Sequence, residues 1–259
     1  MADDPVLLSE LEDGVLKLAL NRPKANAFNR ELIEAAQKAF KQAGRDDAVR
    51  CVLLTGSGKI FSAGQDVGEF EGDSHVSFRQ HLLKTYNPLI LQMRRLEKPV
   101  LAAVNGAVAG AALGVALACD LRIASEEARF VVGFLGIGLA PDSAVSLMLP
   151  QIIGLGRATE AAFGNQPISA HQALEWGLVN RLAPPEALLE QAMDWARQLA
   201  RGPVRAMGLA KRDFNKSILP GLTEVLDYEA HIQDIAGRGE DHKEGLAAFR
   251  EKREPDYIN

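Results

Sequence analysis

The chain has 259 residues, a formal net charge of −5, 47% hydrophobic and 24% charged residues. That balance supports a packed core, argues against disorder, and predicts one large domain or a domain with an appendage. No Lys/Arg block exceeds a pair, which disfavours a nucleic-acid groove, and no run of about eighteen apolar residues is free of polar breaks, which excludes a membrane span.

The acidic start Met1-Ala2-Asp3-Asp4-Pro5 lacks the basic-then-apolar layout of a secretory signal, so a cytoplasmic protein is expected. β-type runs at residues 6–10 and 15–20 flank Glu12-Asp13-Gly14, a hairpin turn. Asn29 caps a helix whose Leu32, Ile33, Ala36, Ala39 and Phe40 recur on one side. Residues 51–55 form a buried strand ended by Gly56-Ser57-Gly58. A helix is expected over 77–96, kinked at Pro88. Residues 100–104 are another buried strand, and after Gly110 an Ala/Leu-rich helix runs to Cys119. Cys51 and Cys119 lie in apolar runs without a partner motif and read as reduced core thiols. Residues 121–124 and 129–131 are short strands. From Gly156 onward only helices are expected, at 169–176 (Ser169 as cap, Gly177 after its end), 185–201, 203–216, 222–238 and 243–252. Strand–turn–helix units followed by helices alone predict an α/β core with a helical C-terminal layer.

Two glycine-bearing segments have a chemical reading. In Phe61-Ser62-Ala63-Gly64-Gln65-Asp66, small residues after a strand let a ligand approach the backbone closely. Asn105-Gly106-Ala107-Val108-Ala109-Gly110-Ala111-Ala112-Leu113-Gly114 passes from strand to helix, where first-turn N–H groups lack intrahelical partners and carry partial positive charge. One N–H from each, converging on a carbonyl oxygen, makes an oxyanion hole. Taken alone, each segment also has a plain explanation as tight strand–helix packing. Neither is a phosphate loop.

Asp142, in Gly138-Leu139-Ala140-Pro141-Asp142-Ser143, is a lone carboxylate inside an apolar, glycine-broken stretch from 130 to 154. Two roles fit it: N-cap of the helix that follows, or the proton-transferring group such a hole requires. The five histidines show no metal-ligand spacing, so no catalytic metal is expected.

These segments, with Asn21-Arg22-Pro23-Lys24-Ala25-Asn26-Ala27-Phe28 before them and Cys119-Asp120-Leu121-Arg122-Ile123-Ala124 and Glu244-Gly245-Leu246-Ala247-Ala248-Phe249-Arg250-Glu251-Lys252-Arg253 after, resemble the crotonase (enoyl-CoA hydratase/isomerase) family nearly end to end. The resemblance implies an α/β fold, the ββα superhelix of the ClpP/crotonase type. Residues 1–200 would be the acyl-CoA-binding core and 201–259 a helical trimerisation region, packed as a homotrimer or a dimer of trimers. It implies a coenzyme A thioester as substrate and no tightly bound cofactor. By match of position, the backbone N–H groups of Gln65 and Ala111 form the oxyanion hole, where the family usually has Ala and Gly. The Gln65 side chain is then placed to narrow the acyl pocket. Arg22 and Lys24 meet CoA phosphates; Ala25, Ala63, Gly64, Asp66, Val67, Gly110 and Phe134 surround the substrate; Phe249 and Lys252 reach the nucleotide from a neighbouring subunit. Arg22 and Lys24 also read as solvated loop charges, Asp66 as a turn cap, and Glu69 as a surface carboxylate at the rim.

Departures from the family pattern bear on the reaction. The two glutamates of typical hydratases are matched here by Gly114 and Phe134, neither able to transfer a proton. Asp142 instead matches the acid of the dienoyl-CoA, Δ3,Δ2-enoyl-CoA and ring-epoxide phenylacetyl-CoA isomerases. The resemblance therefore implies double-bond migration with Asp142 as the proton carrier, its pKa raised by a wall of Phe134, Leu135, Ile137 and Leu139. A hydratase using Asp142 or Glu69 for water, and a non-catalytic acyl-CoA binder, are the alternatives. Residues 70–90, roofing the pocket, carry ordinary helical patterning, so ring-bearing and fatty acyl groups are equally admissible.

Overall fold

A computed structural model describes residues 5–22, 25–70 and 77–258 of the chain. Strands β1 (Leu7–Glu12) and β2 (Val15–Leu20) form the expected hairpin, joined by Asp13 (φ 51°) and Gly14 (φ 78°). Two consecutive positive φ values make the primed turn whose twist suits paired strands, and Asp-Gly adopts it readily. Helix α1 (Arg30–Ala43) begins at Asn29, whose side chain accepts the Leu32 N–H at 2.9 Å. Then follow β3 (Cys51–Gly56), a 3-10 turn at Val67–Phe70, α2 (Phe78–Lys84), α3 (Tyr86–Arg95), β4 (Val100–Val104), β5 (Ala107–Ala109) and α4 (Ala111–Ala118). Next come β6 (Leu121–Ser125), β7 (Arg129–Val131), a 3-10 turn at Leu135–Ile137, α5 (Val145–Ile153), α6 (Leu155–Gly164), β8 (Ile168–Ser169) and α7 (Ala170–Glu175). The chain finishes with β9 (Arg181–Ala183), α8 (Leu188–Arg201), α9 (Val204–Ile218), α10 (Leu222–Ala236) and α11 (Glu240–Glu251).

Two expectations are corrected. The single helix over 77–96 is two helices, and the break falls at Thr85 (φ −113°, ψ −87°) rather than at Pro88. Pro88 lacks the N–H that would bond the Lys84 carbonyl, and in the first turn of a new helix that absence is harmless. Gln37 Nε2 donates instead to the freed Lys84 carbonyl (3.2 Å) and also to the Thr85 carbonyl (2.7 Å), which accepts the Leu89 N–H as well. Strands also continue past Gly156, since β8 pairs with β7 and β9 lies parallel beside β6. Elements of two and three residues are too short to display an alternating pattern.

The main sheet has six strands in the order β1-β2-β3-β4-β6-β9, all parallel except the first pair; β5, β7 and β8 form a smaller sheet. Strands β3 and β4 are buried along their whole length, because both faces of the sheet are covered. Alternation splits the core. Leu18, Leu20, Val52, Leu54, Ala102 and Val104 pack with α1, α3 and α4, while Val15, Cys51, Leu53, Leu101 and Ala103 pack with Leu188, Ala192 and Trp195 of α8. Cys51 and Cys119 are free and buried, and burial pushes both thiols up to about 12, so they are inert core groups.

Two buried or half-buried amides tie the loops at the ends of β3 and β4. Asn105 Oδ1 accepts the Gly56 N–H (3.1 Å), and its Nδ2 donates to Gly58 O (3.0 Å) and Ile60 O (3.1 Å). Asn26 Nδ2 donates to Ser57 O (2.8 Å) and Ile60 O (3.0 Å). The turn between them is clamped from both sides. Helix α10 packs on α2, and α11 packs on the 3-10 turn Leu135–Ile137. Among the described residues no helix is long and apolar enough to cross a membrane.

Candidate active site

The two glycine-bearing segments run side by side. Phe61 N and Ser62 N donate to Ala107 O (3.0 and 3.2 Å), and Ala109 N returns to Ser62 O (3.1 Å). Gly64 (φ 91°) lies so close that an added Cβ would sit 2.7 Å from Ala109 O and 3.6 Å from Ala111 N, so only glycine fits there. Amides on either side are consumed: Gly64 N by Ser62 Oγ (3.1 Å), Asp66 N by Phe28 O (2.8 Å) and Gly110 N by Val131 O (3.2 Å). The N–H groups of Gln65 and Ala111 donate to no described residue. Ala111 opens α4, where the helix dipole adds to the pull on an anionic oxygen.

Both residues line one cavity of about 520 Å³, together with Ala25, Ala63, Asp66, Val67, Gly110, Phe134 and Asp142. All nine are candidates on the sequence alone, whereas Tyr86 of α3, His81 of α2, Gln233 of α10 and His242 of α11, which also line the space, stand in no motif.

Asp142 is 6% exposed. Burial pushes its carboxyl up to about 6, against the opposing effect of two hydrogen bonds: Ser143 Oγ donates to Oδ1 (2.7 Å) and Gln233 Nε2 to Oδ2 (2.8 Å). Phe134, Ile137 and Leu139 line the same cavity. The capping reading is corrected: α5 starts at Val145, and the residue at its N-cap is left-handed Ala144, not Asp142, with no side-chain cap. Glu229 of α10 takes the N–H groups of Ala144 (2.8 Å) and Ser146 (3.1 Å) in place of a local cap. Burial pushes Glu229 up to about 7.

Gly114 has no room for a side chain, since a Cβ there would meet Ser143 O at 2.3 Å. A glutamate at that position is incompatible with the turn that carries Asp142. The Gln65 carboxamide is fully engaged. Its Oε1 accepts from Tyr86 OH (2.8 Å) and His81 Nε2 (3.1 Å), and its Nε2 donates to Asp66 O and Glu69 Oε2 (both 3.1 Å). Burial drives His81 down to about 4 and Tyr86 well above its ordinary value, so both are neutral donors at physiological pH.

The remaining candidates sit at the rim. Asp66 both caps the Gly68 N–H (3.1 Å) and pairs with Arg22 (2.9 Å), whose other nitrogen donates to Ala27 O (2.5 Å). Arg22 is therefore a braced loop residue and not a freely solvated charge. Lys24 lies outside the described residues. Glu69 is exposed and accepts the Arg30 N–H (3.0 Å). Phe249 touches the cavity while 60% exposed, and Lys252 ends α11 in a left-handed conformation away from the cavity lining. Among the described residues no group of three His, Cys, Asp or Glu is arranged to hold a metal ion.

Residues 10–259 match the family model described as enoyl-CoA hydratase/isomerase. The chain is 40% identical over 255 residues to a 1,2-epoxyphenylacetyl-CoA isomerase of Escherichia coli (strain K12), covering 97% of each chain. It is 36% identical over 255 residues to a trans-2-decenoyl-acyl-carrier-protein isomerase of Streptococcus mutans, again covering 97% of each. The crystal structure of an enoyl-CoA hydratase from Mycobacterium avium subsp. paratuberculosis K-10 is similar with a TM-score of 0.89 at 31% identity, over 98% of this chain and 99% of that one. Isomerases and a hydratase thus share this framework over nearly its full length, and the chain belongs to the enoyl-CoA hydratase/isomerase family.

Proposed function

We propose that the protein is an acyl-CoA isomerase that moves a double bond by proton transfer next to a thioester. The observation that carries this reading is the buried carboxyl of Asp142, in the same cavity as two unused backbone N–H groups, where the positions of the hydratase glutamates hold Gly114 and Phe134. The thioester oxygen would sit between the N–H groups of Gln65 and Ala111, which acidifies the carbon beside the thioester or the vinylogous position beyond it. Asp142 would take a proton there, leave the charge on the oxygen as a dienolate, and return the proton two carbons along. A carboxyl held near 6 is deprotonated often enough to act as base and regains the proton readily as acid.

Asp66, the other described carboxyl lining the cavity, is committed to Arg22 and to the Gly68 N–H, which leaves Asp142 for the chemistry. Hydration would need a second group to hold water, and Glu69, exposed and bonded to Arg30 N and Gln65, is poorly disposed for it. CoA would run along the rim past Arg22, with Phe249 and Lys252 reaching its nucleotide from a neighbouring subunit. Exposed Phe214 and Ile218 on α9 and Tyr228 and Ile235 on α10 support self-association through residues 201–259. Crotonyl-CoA and a 3-enoyl-CoA, supplied separately while the conjugated enoyl absorbance is followed, test the reading. Absorbance should rise from the second and hold steady with the first. Asp142→Asn should slow the rise by about 10²–10⁴, as expected of a lost general base; a loss under about threefold overturns the role.

A further inference from the structure

The carboxylate of Asp142 is held by a helix 91 residues further along the chain. Gln233 Nε2 donates to Asp142 Oδ2 at 2.8 Å, and Gln233 Oε1 accepts the Ala140 N–H at 3.0 Å. An N–H can only donate, so the second bond fixes which end of the carboxamide faces Asp142. One helical turn earlier, Glu229 accepts the N–H groups of Ala144 and Ser146 and the Ser146 hydroxyl (2.5 Å). The Gln233 bonds at Ala140 and Asp142 and the Glu229 bonds at Ala144 and Ser146 together bracket Ser143 (φ 56°) and Ala144 (φ 63°), two consecutive left-handed residues that carry side chains. Each is unfavourable on its own and persists only when its surroundings over-determine it. Gln233 and Glu229 are 1% and 3% exposed, and their spacing of four puts them on one face of α10. An apolar pair would fill the same space without desolvating a carboxyl and an amide.

We propose that Gln233 is the positioning residue of Asp142, with Glu229 anchoring the turn beneath it, so that α10 sets where the carboxylate points. The inference rests on the acid–base reading of Asp142. The donor also favours the ionised carboxylate, so its loss makes Asp142 hold its proton to higher pH. The titratable groups around Asp142 are Glu229 on α10, Tyr86 on α3, His81 on α2, His242 on α11 and Asp66 across the cavity. None of them supplies a hydrogen bond to Asp142, so the Gln233 effect is separable from theirs.

The test is a pH titration of the side-chain carboxyl carbons of the free protein by ¹³C NMR, with Asp142→Asn identifying the signal. It is paired with kcat and KM for 3-enoyl-CoA isomerisation across the same pH range. In Gln233→Met, close in volume but without a donor, Asp142 should titrate about one to two pH units higher, the size of one hydrogen bond to a charged group. Near pH 6, kcat should fall about tenfold, with KM within about twofold. Gln233→Glu, isosteric, is the second variant and carries the test alone if Gln233→Met does not fold. Two facing acids share a proton, so the titration again moves up. An unmoved Asp142 titration in the folded variants overturns the inference. A moved titration combined with an active Asp142→Asn upholds the positioning role and overturns the catalytic one instead.

Discussion

Replacing Asp142 by Asn should make the protein more stable while it loses activity. Burial holds the Asp142 carboxyl at about 6, against an ordinary value of about 3.9 in an unfolded chain. A carboxyl whose folded value is raised binds its proton more tightly when folded. Its contribution therefore favours folding at low pH and is lost as pH climbs from about 4 through about 6. The difference of about two units amounts to about 3 kcal/mol against folding above pH 7. Asparagine occupies the same volume without that penalty. Its Oδ1 can accept from Gln233 Nε2, and its Nδ2 can donate to Ser143 Oγ, reversing that bond. Removing the charge also eases the ionisation of Glu229, which Asp142 disfavours, and this adds in the same direction. Urea unfolding of parent and Asp142→Asn at about pH 4.5, 6 and 8 should give a stability gap that widens with pH toward about 3 kcal/mol. A gap that stays constant, or a variant less stable than the parent at pH 8, refutes a buried charge whose two hydrogen bonds fall short of its desolvation cost.

The acid limb of kcat/KM for isomerisation should rise through about pH 6 as Asp142 loses its proton; a profile flat from about pH 5 to 7 means another group is the base. Gly114→Ala places a Cβ 2.3 Å from Ser143 O, so the Asp142 turn must move. The variant should lose about 1–3 kcal/mol by thermal unfolding, together with most of its activity. Glu229→Ala frees the N–H groups of Ala144 and Ser146 and should lower activity about as much as Asp142→Asn, although Glu229 does not line the cavity. Near-parental turnover in that variant shows that the left-handed turn stands without it.

Much of the cavity is local in sequence and was legible there. Asn29 capping α1, Asp13-Gly14 in the hairpin and the small residues at 63–64 and 110–111 each follow from neighbours a few positions away. What was missed depends on contacts between distant segments. Gln233 sits 91 positions from Asp142, and Glu229 85 from Ala144, in a helix whose pattern gives no reason to single out either. The break at Thr85 was misplaced because Pro88 marks where a helix cannot continue but not where the previous one stops, and Gln37 on α1 settles that. Strand β9 escaped notice because three residues show no period, and its identity comes from β6 beside it. Gly114 was legible as a missing glutamate, whereas its cause, the Ser143 carbonyl against α4, was not.

The two sequence roles of Asp142, helix cap and proton carrier, compete for the same oxygens. A carboxylate that accepts the first N–H groups of a helix is stabilised in its ionised form, has its pKa lowered, and is turned away from any substrate. The fold resolves the competition by giving the cap to Glu229 of α10, which reaches the start of α5 from 83 to 85 residues away. Left-handed Ser143 and Ala144 then rotate the chain so that Asp142 is spared that duty and lines the cavity. Gly114 is the other half of the solution, since only a residue without a side chain lets the Ser143 carbonyl pack against α4. Any side chain at 114 would collide with the turn that carries Asp142, so the absence of a glutamate there and the burial of Asp142 are linked through the Ser143 carbonyl.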